Sequence, residues 1–388
     1  MKKKYLLTPG PTPISEEVLL EMAVQPMHHR TQEFSKVLIE VTEKLKKLFK
    51  TENDVYVLTA SGTGAMEAAI SNTFSDKDKV VIAKAGEFGE LFEKISKKFG
   101  LNVIPLSYEW GETINVDDIK KELDKDPDIK GVLVQFSETS TGVIHDIKAI
   151  GEIVKNSKAI LVVDAVSGLG ACDLRTDEWN LDIVVSGSQK ALAAPSGASF
   201  ISVSNKAWKL IEKSTNHKFY FDLLIARERL HGELTWTSWT PCISTILAIN
   251  KALENLFEEG LDKAFRRHSI LSIATQRAIE KLGLELFVKD KNLRGSVTTS
   301  VCLPEGIDGT NLIKLMSEKY GVLIGNGLGK FKGKMLRVGH LGYFGMFDTI
   351  IAISALEMAL NELGYKFELG TGISEAEKVF IENRYFDN

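Results

Sequence analysis

The chain has 388 residues, which is enough for two or three domains with large apolar cores. Charged residues make up 26% and the net charge is -4, which argues against non-specific nucleic-acid binding because that needs a basic face. The apolar runs are too short for a membrane span or a secretory signal. Because Cys172, Cys242 and Cys302 lie far apart, we expect free thiols and a cytoplasmic protein. From the charge and the short apolar runs we expect no nucleic-acid and no membrane partner.

The first half of the chain alternates β-branched apolar runs with helical patterns. Strands are predicted at Asp54–Ala60, Lys79–Ala83, Asn102–Leu106, Gly131–Phe136, Ala159–Val163, Ile183–Ser186 and Ala198–Val203. Helices are predicted from Gly64 through Ile70 and at Phe88–Phe99, Val116–Leu123 and Asp146–Lys155. This alternation predicts an α/β fold with a mostly parallel sheet that is covered by helices on both faces.

After about Thr245 the pattern changes to long helices with few strands, which predicts a smaller α+β domain. Helices are predicted at Thr245–Glu258, Leu261–Leu282, Asp308–Lys319, Asp348–Leu363 and Ser374–Glu382, and strands at Val297–Leu303, Val322–Gly325 and Met335–Val338. We therefore expect an N-terminal segment 1–15, a large domain 16–255, a small C-terminal domain 256–365 and a charged tail 366–388.

Two polar residues stand where predicted strands end. Asp164 closes an apolar run, and Lys190 follows the strand Ile183–Ser186 after a short turn. Ligands of parallel α/β sheets bind beyond the carboxyl ends of the strands, so both residues are candidates for one site. Each also has a structural interpretation, a helix N-cap for Asp164 and a solvated surface position for Lys190. We expect one βα step between them. Together they suit pyridoxal phosphate, which needs a lysine amine and an acid beside its pyridine nitrogen.

The turn between the first predicted strand and helix, Ser61-Gly62-Thr63-Gly64, is rich in small and hydroxyl residues. Glycines permit close backbone approach, hydroxyls donate hydrogen bonds, and a helix N-terminus attracts an anion. The turn matches neither a Walker A loop nor G-x-G-x-x-G. It predicts a phosphate site, while tight helix–strand packing is the alternative interpretation.

Six motifs follow one another along the chain: Tyr5–Thr12, Ser61–Glu67, Ser137–Gly142, Val163–Val166, Ser186–Lys190 and Leu336–Gly342. In this order the chain resembles the class V, fold-type I, pyridoxal-phosphate-dependent aminotransferases, and among them the alanine–glyoxylate and serine–pyruvate aminotransferase group. The resemblance implies a large domain that binds pyridoxal 5'-phosphate through a mostly parallel sheet sandwiched by helices, and a smaller C-terminal α+β domain. It implies no metal.

The resemblance assigns roles to individual residues. Lys190 would form a Schiff base with the cofactor and move the substrate proton, and Asp164 would pair with the pyridinium nitrogen. Val166 would pack on one ring face and Phe88, where many relatives have Trp, on the other. Arg337 would clamp the substrate α-carboxylate in a two-pronged hydrogen bond.

Further contacts are implied in the same way. Ser61, Gly62, Thr63 and Gln189 would hold the phosphate, Thr139 would lie near the phenolic oxygen, and Gly10 would line the substrate pocket. The human-type members carry a His-Cys pair in place of Thr63-Gly64. The backbone N–H groups at the helix N-terminus do not depend on these side chains, so we still expect phosphate binding.

Trp236–Pro241, which contains Thr240, falls where the family sends a loop to the neighbouring subunit's phosphate site. We therefore expect a homodimer with shared active sites. We interpret His28, His29 and Arg30 as polar lining near the pocket mouth or the subunit interface.

The implied reaction moves an amino group in two half-reactions, from alanine or serine to the cofactor and then to glyoxylate or pyruvate. A 2-aminoethylphosphonate transaminase and an aspartate transaminase stay open as alternatives. A non-catalytic scaffold subunit also stays open, although the set of Asp164, Lys190 and Arg337 speaks against it. A cysteine desulfurase is disfavoured because Cys302 lies in a predicted strand rather than in a flexible loop.

Overall fold

The computed structural model describes residues 3–385, so residues 1–2 of the predicted N-terminal segment and 386–388 of the predicted tail lie outside it. The strands are β1 Tyr5–Leu6, β2 Val55–Leu58, β3 Lys79–Lys84, β4 Asn102–Ser107, β5 Gly131–Gln135, β6 Ser137–Glu138, β7 Val143–Ile144, β8 Ile160–Asp164, β9 Ile183–Gly187, β10 Ser199–Val203, β11 Glu285–Leu286, β12 Thr298–Cys302, β13 Val322–Leu323, β14 Gly325–Asn326 and β15 Met335–Gly339. The α-helices are α1 Glu16–Glu21, α2 Gln32–Phe49, α3 Gly62–Thr73, α4 Glu87–Lys98, α5 Val116–Lys125, α6 Ile147–Val154, α7 Asn205–Ile211, α8 Leu223–Leu230, α9 Ile243–Glu259, α10 Leu261–Lys281, α11 Gly309–Leu315, α12 Met346–Glu362 and α13 Thr371–Glu382.

Seven strands form the large sheet in the order β2–β10–β9–β8–β5–β3–β4. Strand β10 is antiparallel to both of its neighbours, and the other pairs are parallel. Strands β5, β8 and β9 are buried along their whole length, as expected where helices cover both faces. The predicted mostly parallel sheet is confirmed, and the carboxyl ends of β8 and β9 lie side by side.

A second sheet, β11–β12–β15–β14, is antiparallel and packs with α10, α12 and α13 around a separate apolar core. Helix α10 passes between the two cores, since Ala264 packs in the first and Ile270 in the second. Strand β1 pairs with β13, and Leu7 lies in the second core. Helix α13 contributes Ala376 and Phe380, so part of the predicted charged tail packs there too. The exact domain limits remain a prediction.

The connection between β8 and β9 differs from the sequence prediction. Residues 165–182 form turns without an α-helix, so the expected βα step between Asp164 and Lys190 is wrong. The N-cap alternative for Asp164 is wrong for the same reason. The run Ser167-Gly168-Leu169-Gly170 explains the missing helix, because glycine and serine are poor helix formers beside alanine or leucine.

Other elements also depart from the predicted pattern. Strand β1 and helices α1, α2, α7 and α8 were not predicted, and the predicted strand Val322–Gly325 is two short strands in different sheets. The predicted helix Asp308–Lys319 ends at Leu315 and continues as a π-helical turn over Met316–Tyr320. Among residues 3–385, no helix combines the length and apolarity that crossing a bilayer requires.

Candidate active site

Lys190 lies in the turn after β9, against the N-terminal segment. Its Nζ donates to the Pro9 carbonyl at 2.8 Å, and Thr12 Oγ1 donates to the Lys190 carbonyl at 2.9 Å. Gly10 has φ +132°, and a Cβ at this position would overlap the Lys190 side chain. The Tyr5–Thr12 motif therefore forms one wall around the lysine, and only glycine fits at its closest point.

The surroundings of Lys190 make its amine easier to deprotonate than a lysine in water. Desolvation and the charge of Arg337 lower the pKa of Lys190 to about 8, and the Asp164 charge opposes this. Burial raises the pKa of Asp164 to about 6, although the Lys190 charge and a backbone hydrogen bond work in the other direction. A lysine with a lowered pKa is suited to act as a nucleophile or a base near neutral pH.

Asp164 ends β8 and is only 6% exposed. Its Oδ1 accepts a hydrogen bond from the Val166 N–H at 2.9 Å, which turns the chain away from the sheet. The Val166 side chain lies directly against Gly62 at the start of α3. Asp164, Val166 and the small-residue turn are thus parts of one site, although the turn lies about 100 positions before the other two in the chain.

The start of α3 is a polar cradle. Within the described chain, its N-cap Ser61 makes no side-chain hydrogen bond to the first turn. The Gln189 amide oxygen is buried and has no hydrogen-bond partner among the described residues. A Cβ built on Gly187 would lie 3.1 Å from that oxygen and 3.5 Å from the Gly62 nitrogen, so both groups converge there. Free N–H groups and an amide that presents either end by rotation are suited to an anion.

Arg337 lies on β15, is 9% exposed and faces β6 and β14. Its Nε donates to the Asn326 carbonyl at 2.8 Å and its Nη1 to the Thr139 carbonyl at 2.9 Å. Burial lowers the pKa of Arg337 to about 10, against the opposing effect of the Glu138 charge. Both of these hydrogen-bond acceptors are neutral carbonyls, which fix the guanidinium while leaving its charge available to a carboxylate.

Phe88 lies in the first turn of α4 and is half-buried. Its backbone N–H donates to the carboxylate of Glu138 at 3.1 Å. Glu138 directly precedes Thr139 in the chain. The structure therefore brings together nearly all of the predicted residues by direct contacts or through one intermediate. The sequence reasoning assigned no role to Glu138 or to the Pro9 and Asn326 carbonyls. The available signal for Glu138 was that it is a charged residue within a motif of small and hydroxyl residues, Ser137–Gly142.

Thr240 is the exception. It is exposed, and its hydroxyl lies 3.5 Å from His29 Nε2. Within the described chain, no hydrogen bond joins Thr240 to Lys190, Gln189 or the start of α3. The preceding Trp239 donates its indole N–H to the Tyr220 carbonyl at 2.7 Å and stacks on Phe219. The role of this loop stays a prediction.

Comparison with known proteins gives the family. A sequence profile described as Aminotransferase class-V matches residues 4–335. The chain belongs to the class-V aminotransferases. It is 34% identical to the serine–glyoxylate aminotransferase of Methylorubrum extorquens, with 98% of this chain and 97% of that one covered. It is 33% identical to the L-aspartate–glyoxylate aminotransferase of Paracoccus denitrificans, with 96% and 95% covered.

Among solved structures, the ureidoglycine–glyoxylate aminotransferase of Bacillus subtilis matches with a TM-score of 0.94. The identity is 30%, and the match covers 98% of this chain and 99% of that one. The fold of this class-V aminotransferase is therefore the fold-type I fold, as the motifs predicted.

Proposed function

We propose that this class-V aminotransferase uses pyridoxal 5'-phosphate to transfer an amino group from alanine or serine to glyoxylate or pyruvate. The observation that carries the proposal is the joint placement of Lys190, Asp164 and Arg337: the charges of Lys190 and Asp164 act on each other's pKa, and the Arg337 charge lowers the pKa of Lys190. The serine–glyoxylate, L-aspartate–glyoxylate and ureidoglycine–glyoxylate aminotransferases to which the chain is similar share glyoxylate in their names, which supports a small 2-oxo acid as acceptor.

The described residues fit the cofactor. The unpartnered Gln189 amide and the free N–H groups at the start of α3 suit its phosphate. The buried Asp164 carboxylate, which accepts a backbone hydrogen bond from Val166, suits a protonated ring nitrogen. Phe88 and Val166 would supply the apolar faces. When bound, the cofactor supplies a carbonyl for covalent attachment and an electron sink for the substrate carbanion.

Each side chain then has a chemical task. The Lys190 amine acts as nucleophile and afterwards takes and returns the proton at the substrate Cα, for which a pKa of about 8 is suitable. Asp164 keeps a proton on the ring nitrogen through its negative charge. Arg337 holds the α-carboxylate of both the amino acid and the 2-oxo acid, so both half-reactions use one anchor.

A donor and acceptor panel tests the substrate proposal. Purified holoenzyme is incubated with alanine, serine, aspartate or 2-aminoethylphosphonate, each with glyoxylate or pyruvate, and kcat/KM is measured for every pair. We expect alanine or serine with glyoxylate to be the best pair. A higher kcat/KM for aspartate or 2-aminoethylphosphonate contradicts the donor proposal. A protein that binds the cofactor but transaminates no pair supports the scaffold alternative.

We also propose that two chains share each active site through residues 236–241. The exposed Thr240 and the aromatic stack of Trp239 on Phe219 support an interface role. The test mixes a Lys190→Ala chain with a chain in which Ser238, Trp239 and Thr240 are replaced by alanine and glycine. Random pairing makes about half of the dimers mixed, each with one complete site, so about a quarter of wild-type activity returns. No recovery in demonstrated mixed dimers contradicts the sharing.

A further inference from the structure

We propose that Glu138 is a positioning residue of the active site, which fixes the start of α4, and with it Phe88, relative to Thr139 and Arg337. The inference rests on the proposed function, because it gives Glu138 a task in holding the groups that would contact cofactor and substrate. It concerns a side chain that need not touch either of them.

Glu138 is fully buried, and both of its carboxylate oxygens accept hydrogen bonds. Oε2 accepts from the N–H groups of Phe88 at 3.1 Å and Gly89 at 3.2 Å. Oε1 accepts from the N–H and the hydroxyl of Ser140, at 3.1 Å and 2.6 Å. Because all these groups are donors, the arrangement is complementary to an ionised carboxylate.

These contacts cap α4 from another part of the chain. The N-cap of α4 is Gly86, which has no side chain to accept from the first turn. Glu138 takes the N–H groups of Phe88 and Gly89, and Ser140 Oγ accepts from the N–H of Glu87 at 3.1 Å. A Cβ on Gly86 would overlap the Glu138 side chain, so this glycine makes room for the remote cap. The hydrogen bonds to Glu138 and Ser140 therefore fix the first turn of α4, which contains Phe88.

The same short segment also holds Arg337. The Thr139 carbonyl, between Glu138 and Ser140, accepts from Arg337 Nη1 at 2.9 Å. The negative charge of Glu138 stabilises the Arg337 cation, and the nearby Asp164 charge acts against ionisation of Glu138. Burial raises the pKa of Glu138 to about 7, and the hydrogen bonds from Ser140 and Gly89 oppose this rise. Residues 138–140 thus join the aromatic wall of the site to its carboxylate anchor.

Glu357 offers a matched control. It is 2% exposed and also accepts backbone N–H groups from the start of another helix, α13. Its donors are Gly370 at 2.6 Å, Gly372 at 2.8 Å and Ile373 at 3.2 Å. Glu357 lies on α12, in the second core, and contacts no predicted site residue among the described ones. Glu357→Gln therefore removes the same kind of buried cap without disturbing the site.

The test compares Glu138→Gln and Glu357→Gln as full-length holoenzymes. Both variants should lower the melting temperature. Only Glu138→Gln should accelerate hydrogen exchange at the Phe88 and Gly89 amides, weaken cofactor binding, and raise KM for both amino and oxo acids. We expect a change of roughly tenfold in each, because Glu138→Gln replaces charge-assisted hydrogen bonds by weaker neutral ones. Glu357→Gln should leave these three quantities at wild-type values.

The proposal is overturned if Glu138→Gln lowers the melting temperature as Glu357→Gln does and leaves exchange, cofactor affinity and KM unchanged. If Glu138→Gln does not fold, Ser140→Ala decides, because it removes one donor to Glu138 and the cap on Glu87 while keeping the charge. It should show the same changes at smaller size, and unchanged values overturn the proposal. Exchange at Phe88 and Gly89 is measured without turnover, so a wild type that does not transaminate would contradict only the proposed function.

Discussion

Asp164 and Glu357 are both buried carboxylates, 6% and 2% exposed, but their partners differ. Glu357 accepts backbone N–H groups from three residues at the start of α13. Asp164 accepts a hydrogen bond from one backbone N–H among residues 3–385, that of Val166. Buried polar groups in proteins are normally hydrogen-bonded, so a carboxylate with spare capacity in a buried position calls for an explanation. The fully partnered acid stabilises the fold, and the sparsely partnered one is available to a ligand.

The basic residues show the same contrast. Arg277 pairs with Glu375 and Glu382 and ties α10 to α13. Lys190 and Arg337 instead donate to backbone carbonyls and keep their charges for other partners. The pKa values of both residues are lowered mainly because burial makes their charged forms less stable than in water.

The largest expected effect tests whether Lys190 is functional rather than structural. Lys190→Ala should fold and lose transamination by roughly 10³-fold or more, because nucleophile and proton carrier disappear together. Steady-state rates with the best substrate pair measure this loss. Glu357→Gln serves as the control variant, because it lowers the stability of the protein without disturbing the site. Turnover near the wild-type rate would show that Lys190 is not the reactive amine.

Asp164→Asn sharpens the comparison of the two acids. The amide keeps the size of the side chain but loses the charge beside the ring nitrogen, so the first half-reaction should slow by roughly 10- to 10³-fold. Single-turnover absorbance with excess amino acid measures this rate. An unchanged rate would place Asp164 among the structural acids, together with Glu357.

Arg337→Lys tests the carboxylate anchor. A lysine point charge cannot reproduce the planar fork that is fixed by the Asn326 and Thr139 carbonyls. KM should rise roughly tenfold or more for both amino and oxo acids, with a smaller change in kcat. If KM is unchanged for both substrates, another residue binds the carboxylate.

The smallest effect concerns His340, in the same motif as Arg337 but fully hydrogen-bonded. Its Nδ1 lies 2.8 Å from the Ser296 carbonyl and its Nε2 2.9 Å from the Thr299 hydroxyl. Burial lowers the pKa of His340 to about 4, from the ordinary histidine value of 6.5. The stability that the neutral imidazole contributes is therefore present above pH 6.5 and is lost as pH falls toward 4.

His340→Gln removes this titration. The free energy of unfolding of the wild type relative to the variant should fall by about 1–2 kcal/mol between pH 7 and pH 5. Urea unfolding at both pH values measures it. An equal difference at the two pH values would mean that His340 does not titrate between the folded and unfolded states in this range.

Local sequence patterns predicted the features that depend on neighbouring residues. Alternating apolar runs indicated the parallel sheet, and the strand-end positions of Asp164 and Lys190 indicated one site, because parallel strands end at one edge. Helix α2 was not predicted, although its sequence carries a local signal. Phe34, Leu38 and Val41 lie on one face of this helix, after the N-cap Thr31.

Other features depend on residues far apart in the chain. Glu138 caps a helix that begins about 50 residues earlier, and the Pro9 carbonyl meets Lys190 across 181 positions. No periodicity or spacing encodes such pairs. The turns between β8 and β9 were missed because the expectation of a helical crossover took precedence over the glycines at 168 and 170.

The central claim is that Lys190 is the amine that carries the cofactor, and reduction with borohydride tests it most directly. Protein loaded with pyridoxal phosphate is reduced, digested and mapped by mass spectrometry, with Lys190→Ala treated in parallel. The account predicts a pyridoxyl group on the peptide that contains Lys190 and none at the corresponding peptide of the variant. A modification on another lysine, with full transamination activity before reduction, would contradict it.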